Sequence, residues 1–399
     1  MSHRDADFLA VRRLIVLGSL SFASVGIAVV LPGALLPLWI DRLAIELSQA
    51  GLLLAVQPLG HLAAVLLCPY LLGESTVART LAVAGAMLAS GLAAIGWLTA
   101  WQAALAAMAL SGASIGMLEV ATNTVLLTRT PQPNRVLNFT HLFFGVASVC
   151  TPPAAALALR VGFPWEWLWM WAAVPIAVTA LCWLFTAPGI GAQPQSSSRA
   201  ARGQLGERGW GPTLALAAAM AAYVGAEIGF GSWYTEYATS VYGVSLVAAG
   251  YGLAGYWGGL TVGRLLLALW APGHSSVAFV AGLAVSAAAL SGLALGAPGM
   301  GAFIFTTVGL GLALAGIFPG ILALSTGWYP RDIARVTSAL LAGAGLGQMA
   351  FPWIMAVLAQ HVGLARAMWI YPLLCCLVAM AVAIGQAMHN KPVERPAPR

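Results

Sequence analysis

The sequence predicts an all-α membrane protein with twelve transmembrane helices in two six-helix halves, and three observations carry that expectation. Of the 399 residues, 60% are hydrophobic and only 8% are Asp, Glu, Lys or Arg, too little polar surface for a soluble globule of this size. The apolar residues come in runs long enough for helices to cross a bilayer, rather than in the alternating segments of about 10 residues that a barrel would show. These runs form two sets of six around a stretch rich in Pro, Gly, Ser and Arg, Pro188 to Gly211, which reads as a flexible linker.

The first run, Leu14 to Ile40, follows Arg4, Arg12 and Arg13. It is too long for a signal-peptide core and no small-residue cleavage site leads into a soluble domain, so it is retained as helix one. Pro32 and Pro37 are expected to bend or end its outer part. Helix two is expected over Ser48 to Leu72, three over Thr80 to Leu98, four over Gln102 to Thr128, five over Val136 to Leu159 and six over Trp167 to Ala187. After the linker come seven (Pro212 to about Tyr237), eight (Leu246 to Trp270) and nine (Val277 to Leu295). Ten (Gly301 to Trp328), eleven (Val336 to Gln360) and twelve (Ala365 to Met388) complete the set. The expected domains are therefore an N-terminal half at 1–187, a cytoplasmic linker at 188–211 and a C-terminal half at 212–399.

The net charge of +6 marks topology rather than an acidic partner. Of the 18 Lys and Arg, all but Arg42, Arg160 and Arg366 fall on the side shared by both termini. The positive-inside rule then makes the termini and linker cytoplasmic in a multi-pass protein of the plasma (inner) membrane. Trp39, Trp97, Trp101, Trp165 and Trp167 stand at span ends, where an interfacial belt belongs. Cys68, Cys150, Cys182, Cys375 and Cys376 all lie inside apolar runs without metal-ligand spacing, so neither disulfides nor a metal site is expected. The expected partners are a small-molecule solute and membrane lipid, with no nucleic acid and the chain a monomer.

The halves repeat weakly, as parallel repeats of a transporter do. A shift of 200 residues superposes Arg135-Val136 on Arg335-Val336, Gly116 on Gly316, Gly145 on Gly345 and Pro152 on Pro352. A shift of 199 superposes Ala50-Gly51 on Ala249-Gly250 and Gly60 on Gly259.

Glu119 lies well inside span four and Glu227 well inside span seven. An ionisable side chain at mid-membrane costs roughly 2.5 to 3.5 kcal/mol even on lenient insertion scales, which makes each a functional-site candidate. Asn123, four residues from Glu119, shares its helix face. Glu119 lies ten residues before Arg129, about 15 Å from the cytoplasmic edge, and His141 lies six residues after Arg135, about 9 Å in. Their comparable depth allows a carboxylate–imidazole relay. A proton carrier needs groups whose charge responds to hydration and to neighbouring charge, as a carboxylate does, or which titrate near neutral pH, as His does. Glu119 is expected to take the coupling ion, H+ or Na+, with His141 modulating it, and Glu227 is the second coupling candidate. No cofactor is expected beyond that ion.

Asn138 shares the face of His141 and can bind solute hydroxyls or bridge helices. The Asn138-Phe-Thr sequon falls in a membrane span and is not read as a glycosylation site. Tyr223, Glu227 and Tyr234 follow one helix face at i, i+4 and i+11, a polar and aromatic stripe of the kind that holds sugars. Trp233, Tyr256 and Trp257 are candidate cavity aromatics, and Gln57 is a candidate solute ligand. Gln57 and His61, four apart in span two, and Gln348 in span eleven also fit packing hydrogen bonds between helices. Pro319, between Phe318 and Gly320, is expected to break span ten.

This layout resembles the major facilitator superfamily over essentially the whole chain. The superfamily's loop motif after span two is poorly kept in Gly73-Glu74-Ser75-Thr76-Val77-Ala78-Arg79, whereas its counterpart after span eight keeps Gly259, Gly263 and Arg264. Three stretches are similar to the fucose, galactose and glucose symporter branch and its sodium–glucose relatives. They are Glu119-x-Ala121-x-Asn123, the Asn138-x-x-His141-x-x-Phe144-Gly145 segment, and Tyr223-Val224-Gly225-x-Glu227-x-x-x-Gly231-x-Trp233. The resemblance implies that spans one, four, seven and ten line a cavity that Glu119 and Glu227 face. Span one lacks the intramembrane Asp of proton-coupled fucose carriers, so a mechanism through that Asp does not carry over.

Two function classes follow: a cation-coupled importer of a small polar solute, a sugar first, working by alternating access, or a proton-driven exporter of drugs or metabolites. Exporters of the superfamily usually carry a G-P-x-x-G-G element in span five, where this chain has Thr151-Pro152-Pro153-Ala154-Ala155-Ala156, which favours import. A receptor or scaffold would need no intramembrane carboxylates. No enzyme signature is present: neither a phosphate loop nor a nucleophile with its base.

Overall fold

The computed structural model describes residues 3–71, 77–130, 133–186, 209–270 and 276–391. Most of the expected linker, 187–208, and most of the motif loop after span two, 72–76, lie outside the described residues. The described residues form helices and no strands, because in lipid a helix satisfies its own backbone groups. In chain order the helices are α1 (His3–Ala34), α2 (Leu36–Leu43), α3 (Leu47–Leu71), α4 (Val77–Ile95), α5 (Trp101–Arg129), α6 (Pro133–Arg160) and α7 (Trp165–Thr186). They continue with α8 (Gly211–Tyr242), α9 (Leu246–Trp270), α10 (Val277–Leu295), α11 (Met300–Leu314), α12 (Ile317–Trp328), α13 (Ile333–Val362), α14 (Leu364–Ala367) and α15 (Ile370–His389).

Among the described residues, eleven spans are long and apolar enough to cross a membrane. The twelfth expected span, α9, is 25 residues long; its glycines, Tyr251, Tyr256, Trp257 and Arg264 make it less apolar. Many hydroxyls inside the helices bond back to their own backbone, as Ser24 does to the Leu20 carbonyl and Thr124 to that of Val120, which keeps them satisfied without water.

The outer part of span one ends as the prolines dictate. α1 stops at Ala34 and α2 restarts at Leu36, with Pro37 in its first turn. Span ten breaks too, but upstream of the expected position. The interruption is at Ala315–Gly316, and Pro319 sits inside the first turn of α12. Proline has no N–H to give the carbonyl four residues back and its ring clashes with that carbonyl, so the helix fails one turn before the proline.

By contact the chain divides into two compact units, Met1–Gln195 with Gly231–Trp257, and Ser196–Phe230 with Gly258–Arg399. In the first unit α3 packs on α5, α4 on α7 and α1 on α6; in the second, α10 packs on α15 and α11. Small residues set the closest approaches, as membrane helices require. A Cβ on Gly60 would collide with the Ala109 carbonyl oxygen and then the Ala113 nitrogen, and one on Gly259 with the Val308 carbonyl oxygen and then the Leu312 nitrogen. Each of these positions is shifted by 199 between the units, so the sequence repeat corresponds to a repeated helix contact.

Candidate functional site

The α3–α5 contact builds the site of the first unit. Gly112 and Gly116, one turn apart on α5, lie against the backbone carbonyls of Gln57 and His61 on α3. Any side chain there would push the helices apart. With the backbones this close, His61 reaches Glu119, and Nε2 lies 2.6 Å from Oε2. The two side chains are 29% and 31% exposed. One turn toward the start of α3, Gln57 is buried, and its Nε2 donates to the Ala28 carbonyl at 3.0 Å and to Ser111 Oγ at 3.1 Å. Its amide hydrogens thus tie α3 to α1 and α5.

The expected relay partner, His141, lies within electrostatic reach of Glu119, and its ring is 3.9 Å from that of Phe22 on α1. The hydrogen bond to the carboxylate comes from His61 instead. On the face of Glu119 one turn further, Asn123 Oδ1 is buried with no hydrogen-bond partner among the described residues, an acceptor available to a donor. Asn138 lies on α6, and its side chain is outside the described residues.

The second unit holds a different pair. Glu227 on α8 is 5% exposed, and Arg264 Nη2 on α9 donates to its Oε1 at 3.0 Å. The Tyr223 hydroxyl, one turn away, is buried beside both charges without an aligned hydrogen bond among the described residues. Its ring faces Phe318, centroids 6.3 Å apart, next to the α11–α12 break. Gly263 packs against Ala315 at that break, and this seats Arg264 beside α8.

The expected aromatics belong to the first unit. Tyr256 and Trp257 meet edge-on at 5.4 Å, Tyr234 lies 6.5 Å from Tyr256, and both Tyr256 and Trp257 pack on Gly231. Trp233 is fully buried, its indole nitrogen without a partner among the described residues. The stripe along α8 is thereby shared out: Tyr223 and Glu227 lie in the second unit, Trp233 and Tyr234 in the first. Sequence reasoning missed the roles of His61 and Arg264. The available signal was the glycines beside them, Gly60 and Gly263, which mark where a partner helix comes closest.

No family model matches the chain. The protein TsgA homolog of Erwinia tasmaniensis is 31% identical over 132 residues, 32% of this chain and 32% of that protein. Bypass of stop codon protein 6 of Saccharomyces cerevisiae is 22% identical over 328 residues, 70% of this chain and 62% of that one. The chain thus spans about a third of the first relative's length and less than two thirds of the second's. Solved structures match over almost their full length. A bacterial homolog of the human lysosomal transporter Spinster superposes with a TM-score of 0.72 at 15% identity, over 100% of both chains. The D-xylose–proton symporter gives 0.74 at 13%, over 94% of this chain and 97% of that one, and the nucleoside transporter NupG 0.71 at 14%, over 95% and 99%. The chain has the major facilitator fold. At these identities the likeness is one of fold, so within the major facilitator framework the functional reading rests on the two ion pairs.

Proposed function

We propose that this chain is a secondary active transporter that couples proton movement to uptake of a small polar solute, a sugar first, by alternating access. The observation that carries the reading is the hydrogen bond between Glu119 and His61 inside the membrane, both side chains part-exposed. A carboxylate and an imidazole that share a hydrogen bond can hold or release one proton within the ordinary cellular range. A sodium site would instead gather oxygen ligands around the carboxylate. The proton reading therefore fits His61 as partner better than the sodium reading does.

The solute class follows from charge. Both candidate carboxylates are already matched by a base, Glu119 by His61 and Glu227 by Arg264. The sites are close to neutral overall, which suits an uncharged, hydroxyl-bearing solute better than a cationic drug. Asn123 and Tyr223 offer polar atoms for such a solute, and Trp233, Tyr256 and Trp257 offer ring faces. The xylose and nucleoside transporters among the structural neighbours are named for solutes of this kind. The similarity of Glu119-x-Ala121-x-Asn123 and the α8 stretch to the fucose, galactose and glucose branch supports the same choice. In this reading the moving bodies are the halves 1–187 and 212–399, joined by a cytoplasmic linker, in a monomer of the inner membrane with both termini cytoplasmic.

The test is accumulation in proteoliposomes under an imposed pH gradient, with labelled D-xylose, L-fucose, D-galactose, D-glucose and uridine as probes. The expected result is proton-driven accumulation of at least one probe, reduced to passive equilibration in Glu119→Gln. Proton-driven extrusion of cationic amphiphiles with no movement of any probe would establish the exporter instead.

A further inference from the structure

Two prolines leave carbonyls behind in span one. Pro32 has no N–H to give the Ala28 carbonyl four residues back, and Pro37 has none for the Gly33 carbonyl. A buried carbonyl in that position costs free energy unless another donor reaches it. In both cases a side chain from another span does. Gln57 Nε2 of α3 donates to the Ala28 carbonyl at 3.0 Å, and Thr235 Oγ1 of α8 donates to the Gly33 carbonyl at 2.5 Å. Both donors are buried, and all four residues belong to the first unit.

The Gln57 bond does more than fill a carbonyl. Gln57 stands one turn before His61 on the same face of α3, and the backbone of α3 meets α5 at both places through glycine. A Cβ on Gly112 would overlap the Gln57 carbonyl, and one on Gly116 would stand 2.6 Å from the His61 carbonyl oxygen. Glycine sets how near the two helices come, but with no side chain it offers little resistance to rotation of α3 about its own axis. The Gln57 amide does resist, because its Nε2 is held from two helices at once, by the Ala28 carbonyl on α1 and by Ser111 Oγ on α5 at 3.1 Å. Rotating α3 breaks both bonds. His61 turns with the same helix, so its 2.6 Å approach to Glu119 is set where these two bonds are set.

We propose that Gln57 is the positioning residue of the Glu119–His61 pair: it supplies the donor that Pro32 withholds from Ala28 and, with its bond to Ser111, fixes the rotation of α3 that aims His61 at Glu119. The site is thereby encoded in three places, a proline in α1, a glutamine in α3 and glycines in α5. The tie itself is independent of the transport reading; only its consequence, weaker proton-driven uptake when Gln57 is lost, rests on that reading.

A double-mutant cycle on the full-length protein in detergent micelles tests the tie, with two readouts. Equilibrium unfolding reports the carbonyl. Gln57→Leu is expected to lower the folded-to-unfolded ratio about tenfold, as loss of the donor to a buried carbonyl does. In a Pro32→Ala background residue 32 gives the Ala28 carbonyl its helical donor, and the same substitution is expected to cost about threefold or less. Nitrogen NMR of isotope-labelled histidine, at one fixed pH, reports the aim of the imidazole. The His61 Nε2 resonance, assigned by its absence from His61→Gln, is expected to move in Gln57→Leu toward its position in Glu119→Ala. It should stay there when Pro32→Ala is added, since stability returns but the pin on α3 does not. Where Gln57→Leu yields no folded protein, Gln57→Met serves with the same expectations. A stability cost equal with and without Pro32→Ala overturns the tie, and a His61 resonance that does not move overturns the positioning role. Should the resonance move as expected while no probe accumulates in proteoliposomes, Gln57 keeps its role and the transport reading falls.

Discussion

Each unit pairs an intramembrane carboxylate with a base, yet the pairs are opposite in kind. Glu119 meets an imidazole, and both partners are about a third exposed. Glu227 meets a guanidinium and is buried behind it, 5% exposed, while the Arg264 side chain is 41% exposed. A guanidinium does not give up its proton in a protein, so the second pair keeps its charges through any cycle of pH. The first pair can change charge by one proton. On similar glycine-set helix contacts, one unit carries a titratable switch and the other a fixed dipole. In the proposed reading the coupling proton therefore belongs to Glu119, and Glu227 is a fixed polar anchor beside Tyr223.

The comparison can be broken at several points, the largest effect first. Arg264→Gln strands a buried carboxylate and should cost about 3 to 5 kcal/mol in thermal unfolding, most of it recovered when Glu227→Gln is added. Failure of the second substitution to rescue the first would show that the two side chains are not energetically a pair. Gly116→Leu should cost about 1 to 3 kcal/mol by forcing α3 from α5, and should also abolish proton-driven uptake, since His61 moves out of reach of Glu119. Glu227→Gln alone should cost only about 1 kcal/mol, because the charge left behind is part-exposed and can be solvated.

A subtler change sharpens the contrast without removing either partner. His61→Arg turns the first pair into a copy of the second. It should alter stability by less than about 1 kcal/mol in a part-exposed pair, while uptake loses its dependence on the pH gradient. Uptake that keeps that dependence in His61→Arg would take the proton away from this pair.

The fold was largely legible in the sequence because membrane helices announce themselves by length and apolarity. Leu246–Trp270 and Val277–Leu295 fall where they were expected to the residue, most other spans differ by a few residues at fraying or Pro-broken ends, and α1 begins at His3, well before the expected Leu14. The break in span ten was expected at Pro319 and lies at Ala315–Gly316, displaced because proline disrupts the carbonyl four residues back. The site was legible only in part. Glu119 and Glu227 stood out as costly charges, but depth along a helix says nothing about which helix is next to it. Reckoned by depth, His141 suited Glu119; the glycine contacts brought His61 there. Arg264 counted toward the cytoplasmic charge balance and the motif after span eight, since nothing local in the sequence shows a long side chain turning back to a carboxylate on another span. Gln57 shows the reverse: a polar residue weighed as a solute ligand whose amide hydrogens go to the Ala28 carbonyl and Ser111.

The most direct measurement is an infrared titration of the purified protein between about pH 5 and pH 8, comparing wild type with Glu119→Gln and Glu227→Gln. The account predicts imidazole bands that change on acidification alike in wild type and in Glu227→Gln and are altered in Glu119→Gln, where His61 loses its carboxylate partner. Imidazole bands that are unchanged in Glu119→Gln and altered in Glu227→Gln would contradict it, and would move the switch to the other unit.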